Sequence, residues 1–296
     1  MSFVVVTDTS ANLEPAQISD YSLEVIPFNY YFDGEEHNIL RDGFSRFNAE
    51  DFYARIRKGL KVTTSQIPPQ AFADSFEKFL RRGKDIIFVC MSSGISGSCN
   101  SAKIAAAMMM EAYPGRIVEV IDTLGASLGE GLVALHAARL QKLGRSVTEA
   151  AEELRDLSRR MCNIFTVDDL MHLRRGGRLS NMAAMVGTVL QIKPLLKGNV
   201  EGKIVAFEKI RGRKRSIEAL AEAYDKLVVA PEKQIVGIAQ AACREDAERL
   251  ASLIRRNRPP KEILTVEYEP VTGSHVGPGA LALFFESTDT VRTYGD

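Results

Sequence analysis

Short, almost unbroken apolar runs alternate with segments of helical spacing through the first half of the chain. "SFVVVTD" reads as a buried strand ending at Asp8, and "TSANL" turns the chain into "EPAQISDY". "LEVIPFNYYF" is a second apolar run, which "DGEEHN" turns back through Asp33-Gly34. "NAEDFYARIRKG" places Phe52, Ile56 and Leu60 on one helical face. After "KVTTSQIPPQ", the segment "AFADSFEKFLRRG" is a helix led in by Pro68 and Pro69 and stopped by Gly83. Strand "DIIFVC", helix "SAKIAAAMMMEAY", strand "RIVEVID" and helix "GEGLVALHAARLQKLG" follow. Strands with no polar alternation, separated by helices, predict a parallel sheet covered on both faces.

The amphipathic helix "SVTEAAEELRDLSRRM" marks the change of domain, dividing an N-terminal domain at 1–158 from a C-terminal one at 159–296. The second half opens with "NIFTVDD", the helix-like "DLMHLRRGG" and the helix "LSNMAAMVGTVLQI". "KPLLKGNVEGKIVAFEKI" reads as strands paired about "GNVEG". Helix "SIEALAEAYDKLV", strand "QIVGIAQAA", helix "REDAERLASLIRR" and strand "EILTVEYEP" come next. "GSHVGPGALALFFES" supplies a turn and a last strand. The fold class is α/β, with a parallel-sheet first domain and a mixed α/β second one. A cleft between two such halves is the default place for a ligand.

Composition adds limits rather than direction. The 296 residues are 45% hydrophobic and 26% charged, with 38 Lys and Arg against 38 Asp and Glu. Zero formal charge gives no argument for nucleic acid. From His172 to Arg215, however, eleven Lys and Arg face two Glu. Such a segment fits a local anionic partner, or a solvated face balanced by carboxylates elsewhere. Cys90, Cys99, Cys162 and Cys243 form no CxxC or Cys/His cluster, as expected of free thiols in a reducing compartment. "MSFVVVTDTS" lacks the basic start and apolar run of a signal peptide, and no stretch approaches a membrane span. The expected location is cytoplasmic.

The candidate chemistry gathers in loops. "CMSSGISGSCNS" follows strand "DIIFV" and opens a helix, where backbone N–H groups and hydroxyls suit an anionic or accepting group. It is neither G-x-x-x-x-G-K-[ST] nor G-x-S-x-G, which removes the nucleotide loop and the hydrolase elbow. The alternative is structural, with Ser98 capping the helix. "GEGLVA" at 129–134 fits G-x-G-x-x-A formally, but the preceding strand ends too early, near Asp122. "TTSQ" at 63–66 offers three hydroxyls and an amide before a helix. Asp8 in "DTS" either does chemistry at a strand end or ties down the next turn. Of the four histidines, His275 stands out, because Gly273, Gly277, Pro278 and Gly279 restrict the backbone around it. "RRGGRLS" and "RGRKR" cluster arginines able to fork onto carboxylate or phosphate. They lack interleaved aromatics, so single-stranded nucleic acid is not an expected partner. No H-E-x-x-H, paired carboxylate or Cys/His set suggests a metal.

Taken in order, these segments resemble the DegV family. "VVVTDTSANL", "TTSQIPP", "SSGISGSCNSA", "VIDTLGASLGEG", "LRRGGRLS", "LQIKPLL…EGKI", "KIRGRKRSIEAL" and "SHVGPGALAL" run from residue 4 to about 285. The resemblance implies a two-domain α/β fold holding one long-chain fatty acid in a tunnel between the domains, with no other cofactor. It implies a non-catalytic carrier whose partner, the catalytic subunit of a fatty acid kinase, phosphorylates the carboxylate with ATP. The acyl phosphate then feeds phospholipid synthesis, without stable membrane insertion of the carrier. By motif, the family's carboxylate contacts fall on Thr64, Ser96 and His275, with Ser65, Gly97 and Ser98 as supporting donors. Arg178 and Arg211 match further family positions.

One departure is "GSCNSA", where many relatives have Gly-Thr-Tyr-Gln-Ser-Ala. It bears on tunnel shape and chain preference more than on the head group. Residues 105–110 and 182–189 are candidate tunnel lining, with core packing as the alternative. Two other readings stand beside the carrier. One is a small-molecule phosphotransferase or hydrolase using Asp8 and His275. The other is a lipid-responsive regulatory protein whose basic segment contacts another macromolecule.

Overall fold

A computed structural model of the chain describes residues 3–44, 47–180 and 192–295. The chain divides into two compact units, one of Met1–Phe47 with Thr63–Ser158 and one of Asn48–Val62 with Arg159–Asp296.

The chain begins with β1 (Phe3–Asp8), α1 (Pro15–Asp20), β2 (Glu24–Ile26), β3 (Tyr30–Phe32), β4 (Glu35–His37) and α2 (Ile39–Asp42). After α3 (Ala49–Arg57), a piece of the second unit, come β5 (Thr63–Thr64), α4 (Pro69–Leu80), β6 (Asp85–Cys90) and α5 (Ser98–Ala112). β7 (Val118–Asp122), α6 (Leu128–Lys142) and α7 (Val147–Arg160) follow. The main sheet of the first unit has the order β2-β1-β6-β7 and is parallel throughout. Side chains alternate between the faces of a strand, and all six residues of β6 are buried, so both faces are covered there. Phe72 and Phe76, one turn apart on α4, meet Phe88 of β6 with ring centroids 5.0 and 5.8 Å away.

Two expectations in this unit need correction. The run "LEVIPFNYYF" is broken near Pro27, which has no N–H to give a sheet. β2 joins the parallel sheet, whereas β3 pairs antiparallel with β4 and β5 in a separate three-stranded sheet. Helix α5 starts at Ser98, three residues earlier than its apolar spacing suggests.

The second unit continues with β8 (Met161–Thr166), α8 (Met171–Arg175), β9 (Ile192–Gly198), β10 (Ile204–Arg211) and α9 (Arg213–Leu227). Then come β11 (Ile235–Gln240), α10 (Arg244–Asn257), β12 (Glu262–Glu267), α11 (Pro270–Val276) and β13 (Leu281–Glu286). Its sheet, β10-β9-β8-β13-β11-β12, is mixed: β11 and β12 are parallel and the other neighbours antiparallel. Tyr224 of α9 lies edge-on to Phe285 of β13 at 5.0 Å, within a core that includes Leu220, Leu250 and Leu283. The helix expected over 179–192 falls largely on residues 181–191, outside the described residues.

Sequence order alone groups 48–62 with the first half, yet α3 packs in the second unit. Tyr53 is fully buried, and its hydroxyl donates to the Tyr268 carbonyl at 2.7 Å. The ring also lies tightly on α11, where a Cβ on Gly273 would come within 2.9 Å of Tyr53 Cζ. α3 therefore braces α11, and a side chain at 273 would push the brace away. Tyr53→Phe removes this buried hydrogen bond and is expected to cost about 1–3 kcal/mol. Gly273→Ala adds steric displacement and should cost at least as much. Urea denaturation followed by tyrosine fluorescence checks both; unchanged midpoints would show that α3 does not brace the unit.

Candidate functional site

β6 ends in the sheet interior at Cys90, so the chain must satisfy its polar groups while it turns into α5. The Ser92 N–H donates to the Gly125 carbonyl at 2.8 Å. The N–H groups of Ile95 and Ser96 donate back to the Ser92 carbonyl at 3.2 and 3.1 Å, closing a turn. Ser96 Oγ then accepts from the Ser98 N–H at 3.2 Å and donates to Ser98 Oγ, also at 3.2 Å. Ser96, rather than Ser98, ties the start of the helix.

Ser98 is buried and reaches elsewhere: its Oγ accepts from the Ile67 N–H at 3.1 Å. That bond joins "TTSQI" to "GISGS". Gln66 lies so close that a Cβ on Gly97 would stand 3.0 Å from its Cδ, so a larger residue at 97 would displace it. Half-buried Thr64 is held on β5 opposite Tyr30, while exposed Ser65 has its Oγ 3.4 Å from the Tyr31 hydroxyl. The first unit thus brings Thr64, Ser65, Ser96, Gly97 and Ser98 into one pair of loops. Beside them is the N-terminus of a fifteen-residue helix, with its partial positive charge. Gln66 and the Ile67 N–H are the participants that sequence reasoning left without a role.

In the second unit, His275 lies in the last turn of α11, not in the irregular turn expected from its glycines. Pro270 starts that helix, and the two oxygens of Glu269 accept the N–H groups of Val271 and Thr272, both at 2.6 Å. The His275 ring rests on Gly176, where a Cβ would be 2.7 Å from Nδ1. The Arg178 guanidinium donates to the Gly176 carbonyl. Burial, aided by the Arg178 charge, pushes His275 down to about 4. Near pH 7 the imidazole is neutral and offers one N–H. His275 and Arg178 are therefore neighbours, while Arg211 is on another element, at the exposed end of β10 opposite Ile192.

Much of the basic segment is matched by carboxylates. Lys193 meets Asp168 at 2.7 Å, Arg213 meets Asp246 at 2.8 Å, and Arg215 meets Glu222 at 2.6 Å. Of the expected lining, Ala105 and Ala106 are buried in the first unit, whereas Met108 and Met110 are exposed. Residues 182–189 lie outside the described residues.

Asp8 is enclosed. Its Oδ1 accepts from the Ser10 N–H at 2.8 Å and lies 2.5 Å from Ser10 Oγ. The same hydroxyl is 2.7 Å from Glu130 Oε2, and Thr7 Oγ1 donates to Glu130 Oε1 at 3.1 Å. All four residues are buried. One hydroxyl proton cannot serve two carboxylates, so the Asp8–Glu130 pair holds a proton of its own. Burial accordingly pushes Asp8 up to about 6. The group ties β1 to α6 and is not placed to touch a substrate. Among the described residues, no cluster of three or more His, Cys, Asp or Glu could hold a metal ion, and no helix is long and apolar enough to cross a membrane.

A parallel α/β unit with a hydroxyl-rich strand-to-helix loop, and a mixed α/β unit carrying a neutral, partly buried histidine, define a two-unit α/β protein. A model of the DegV family of uncharacterised proteins matches residues 2–288, and the chain belongs to that family. A DegV domain-containing protein of Clostridium perfringens (strain 13 / Type A) is 38% identical over 283 residues, covering 96% of this chain and 97% of that one. Among solved structures, a DegV family protein from Thermus thermophilus, described for its fatty acid binding, matches with a TM-score of 0.87 at 28% identity. The match covers 97% of this chain and 100% of the other. DegV from Bacillus subtilis, described as a fatty acid binding protein, matches with a TM-score of 0.83 at 30% identity, over 97% and 100% of the two chains.

The buried proton has a measurable consequence. Between the ordinary carboxylate value of 3.8 and about 6, the folded chain keeps a proton that the unfolded chain releases. Stability from this pair therefore falls as pH rises through that window and levels off above it, by on the order of 3 kcal/mol. Asp8→Asn removes the titrating carboxyl while its amide oxygen can still accept from the Ser10 N–H, and should flatten that slope while raising stability at pH 8. Urea midpoints against pH for both proteins check this; identical slopes would mean that the pair shares no proton.

Proposed function

We propose that this chain is a non-catalytic carrier that binds one long-chain fatty acid and presents its carboxylate to a separate, ATP-dependent fatty acid kinase. The observation that carries the reading is the junction of two hydroxyl-bearing loops at the start of α5, made by Ile67 and Ser98, in a DegV-family chain. The fatty acid binding described for the matched Thermus and Bacillus proteins supports the choice of ligand.

In this reading Thr64 donates its hydroxyl hydrogen to the carboxylate from the first unit, Ser96 does so by turning its hydroxyl away from Ser98 Oγ, and His275 donates its N–H from the second. Ser65 and the Gly97 N–H assist, the Ser98 N–H contributes through the Ser96 hydroxyl that it holds, and Arg178 and Arg211 add positive charge. The place proposed for the tail is the tunnel between the domains that the family resemblance implies. A tail of about fourteen methylenes contributes roughly 11 kcal/mol gross on burial, at about 0.8 kcal/mol per methylene. Association and ordering cost about 4–15 kcal/mol, so the tail sets the affinity and the head group sets the orientation. Phosphorylation by the kinase, in the cytoplasm, would make an acyl phosphate for phospholipid synthesis.

Native mass spectrometry of the purified protein, followed by organic extraction, is expected to show a long-chain acid in near-stoichiometric amount. A nucleotide or sugar phosphate in its place would overturn the reading. Ser96→Ala and His275→Ala each delete one hydrogen bond to a charged acceptor, and each should weaken binding about tenfold or more. Acyl phosphate formation with the cognate kinase should fall in parallel, while both variants still unfold cooperatively; Ser96→Ala, which also loses the acceptor of the Ser98 N–H, is expected to be less stable by about 1 kcal/mol. Undiminished binding in both variants would rule out these residues as the head-group contacts.

A further inference from the structure

We propose that His172 is a positioning residue for His275, holding the imidazole that meets the fatty-acid head group; this rests on the fatty-acid reading of the site. The two histidines lie on α8 and α11 of the second unit, and each covers a glycine belonging to the other segment. His275 rests on Gly176, just past α8. His172 rests on Gly277, just past α11, where a Cβ would stand 2.6 Å from His172 Cγ and 2.9 Å from its Nε2. With any side chain at either glycine, a ring would have to move.

The arrangement is reciprocal, and its location matters. Gly277 ends α11 with φ +76 and is two residues beyond His275, so the ring of His172 fixes the turn that sets where His275 points. Two residues further on, Gly279 packs against the Asp168 carboxylate, which Lys193 holds at 2.7 Å. The segment 168–178 thus grips the 275–279 turn at three points. Burial also holds His172 below its ordinary value, so near pH 7 the paired rings do not repel one another. His172 itself acts through shape. It fills the space above Gly277 and restricts His275, which in turn donates to the ligand.

A residue that aims a head-group donor differs from one that merely supports the fold in its effect on ligand discrimination. The delipidated full-length protein is titrated with hexadecanoic acid and with methyl hexadecanoate, which shares the tail but lacks the carboxylate. The unaltered protein should prefer the acid, and His275→Ala should lose most of that preference. His172→Ala is expected to lose threefold to tenfold of the preference while its affinity for the ester stays the same. His172→Phe restores a planar ring over Gly277 and should recover the preference; His172→Leu, apolar but not planar, replaces the alanine variant if that fails to fold. Equal loss of both probes, an unchanged acid-to-ester ratio, or no recovery with phenylalanine would overturn the proposal. If His275→Ala itself keeps the unaltered ratio, the head-group assignment falls and this inference falls with it. If only the His172 variants keep it, the assignment stands and this inference alone is wrong.

Discussion

The bond from the Ile67 N–H to Ser98 Oγ decides how the first unit offers its polar groups. Without it, the segment before α4 and the loop before α5 would be two ordinary helix entries, each closed by its own local hydrogen bonds. With it, Gln66 is drawn onto Gly97 and Ser96 is left to hold the first N–H of α5. The position of that bond follows from β6. A strand buried on both faces must leave the sheet at its end, and a small-residue loop lets another chain segment come close enough to reach the helix start.

Elements whose cause is local were legible in the sequence. "DIIFVC" announces a buried strand, "DG" announces the turn between β3 and β4, and two prolines announce α4. What stayed hidden depends on distant partners. The break between β2 and β3 follows from Pro27, but only the sheets show that the two pieces separate. Residues 48–62 look like any amphipathic helix, and nothing within them says that Tyr53 packs on Gly273. α11 was hidden by its composition, since Thr272, Gly273 and His275 are weak helix formers. Glu269 and Pro270 carried the signal for it, an acidic cap followed by proline at the first helical position. Of the candidate donors, the hydroxyls were legible as a group and His275 as an oddity among glycines. His172 was not, because its significance lies in a glycine about a hundred residues away.

Charge plays a smaller part than the sequence suggests. The basic run draws in Asp168, Asp246 and Glu222, so much of its charge is met by carboxylates of the same unit, and the exposed Arg215–Glu222 pair contributes little on its own. His275, which rests on this run at Gly176, is not an added cation, since burial and the Arg178 charge both oppose its protonation. A neutral N–H beside a guanidinium that already donates to the Gly176 carbonyl makes a directed donor with positive charge in reserve. Such an arrangement can meet an acceptor without forming a fully desolvated ion pair.

The departure at "GSCNSA" can be weighed in the same terms. Cys99 is fully buried in the first turn of α5, beside Cys90 at the end of β6, whose thiol donates to the Ile121 carbonyl at 3.4 Å. The residue that replaces the family's tyrosine therefore faces the interior of the first unit, while Ser96 and the Ile67–Ser98 bond occupy the loop side. A change of bulk at this position acts on how α5 seats against β6. It reaches the donors only by shifting the start of the helix, and the Ser96 bond to the Ser98 N–H resists that shift. The Ser96 tie at the start of α5 and the packing of Cys99 beneath it can thus vary separately in this chain.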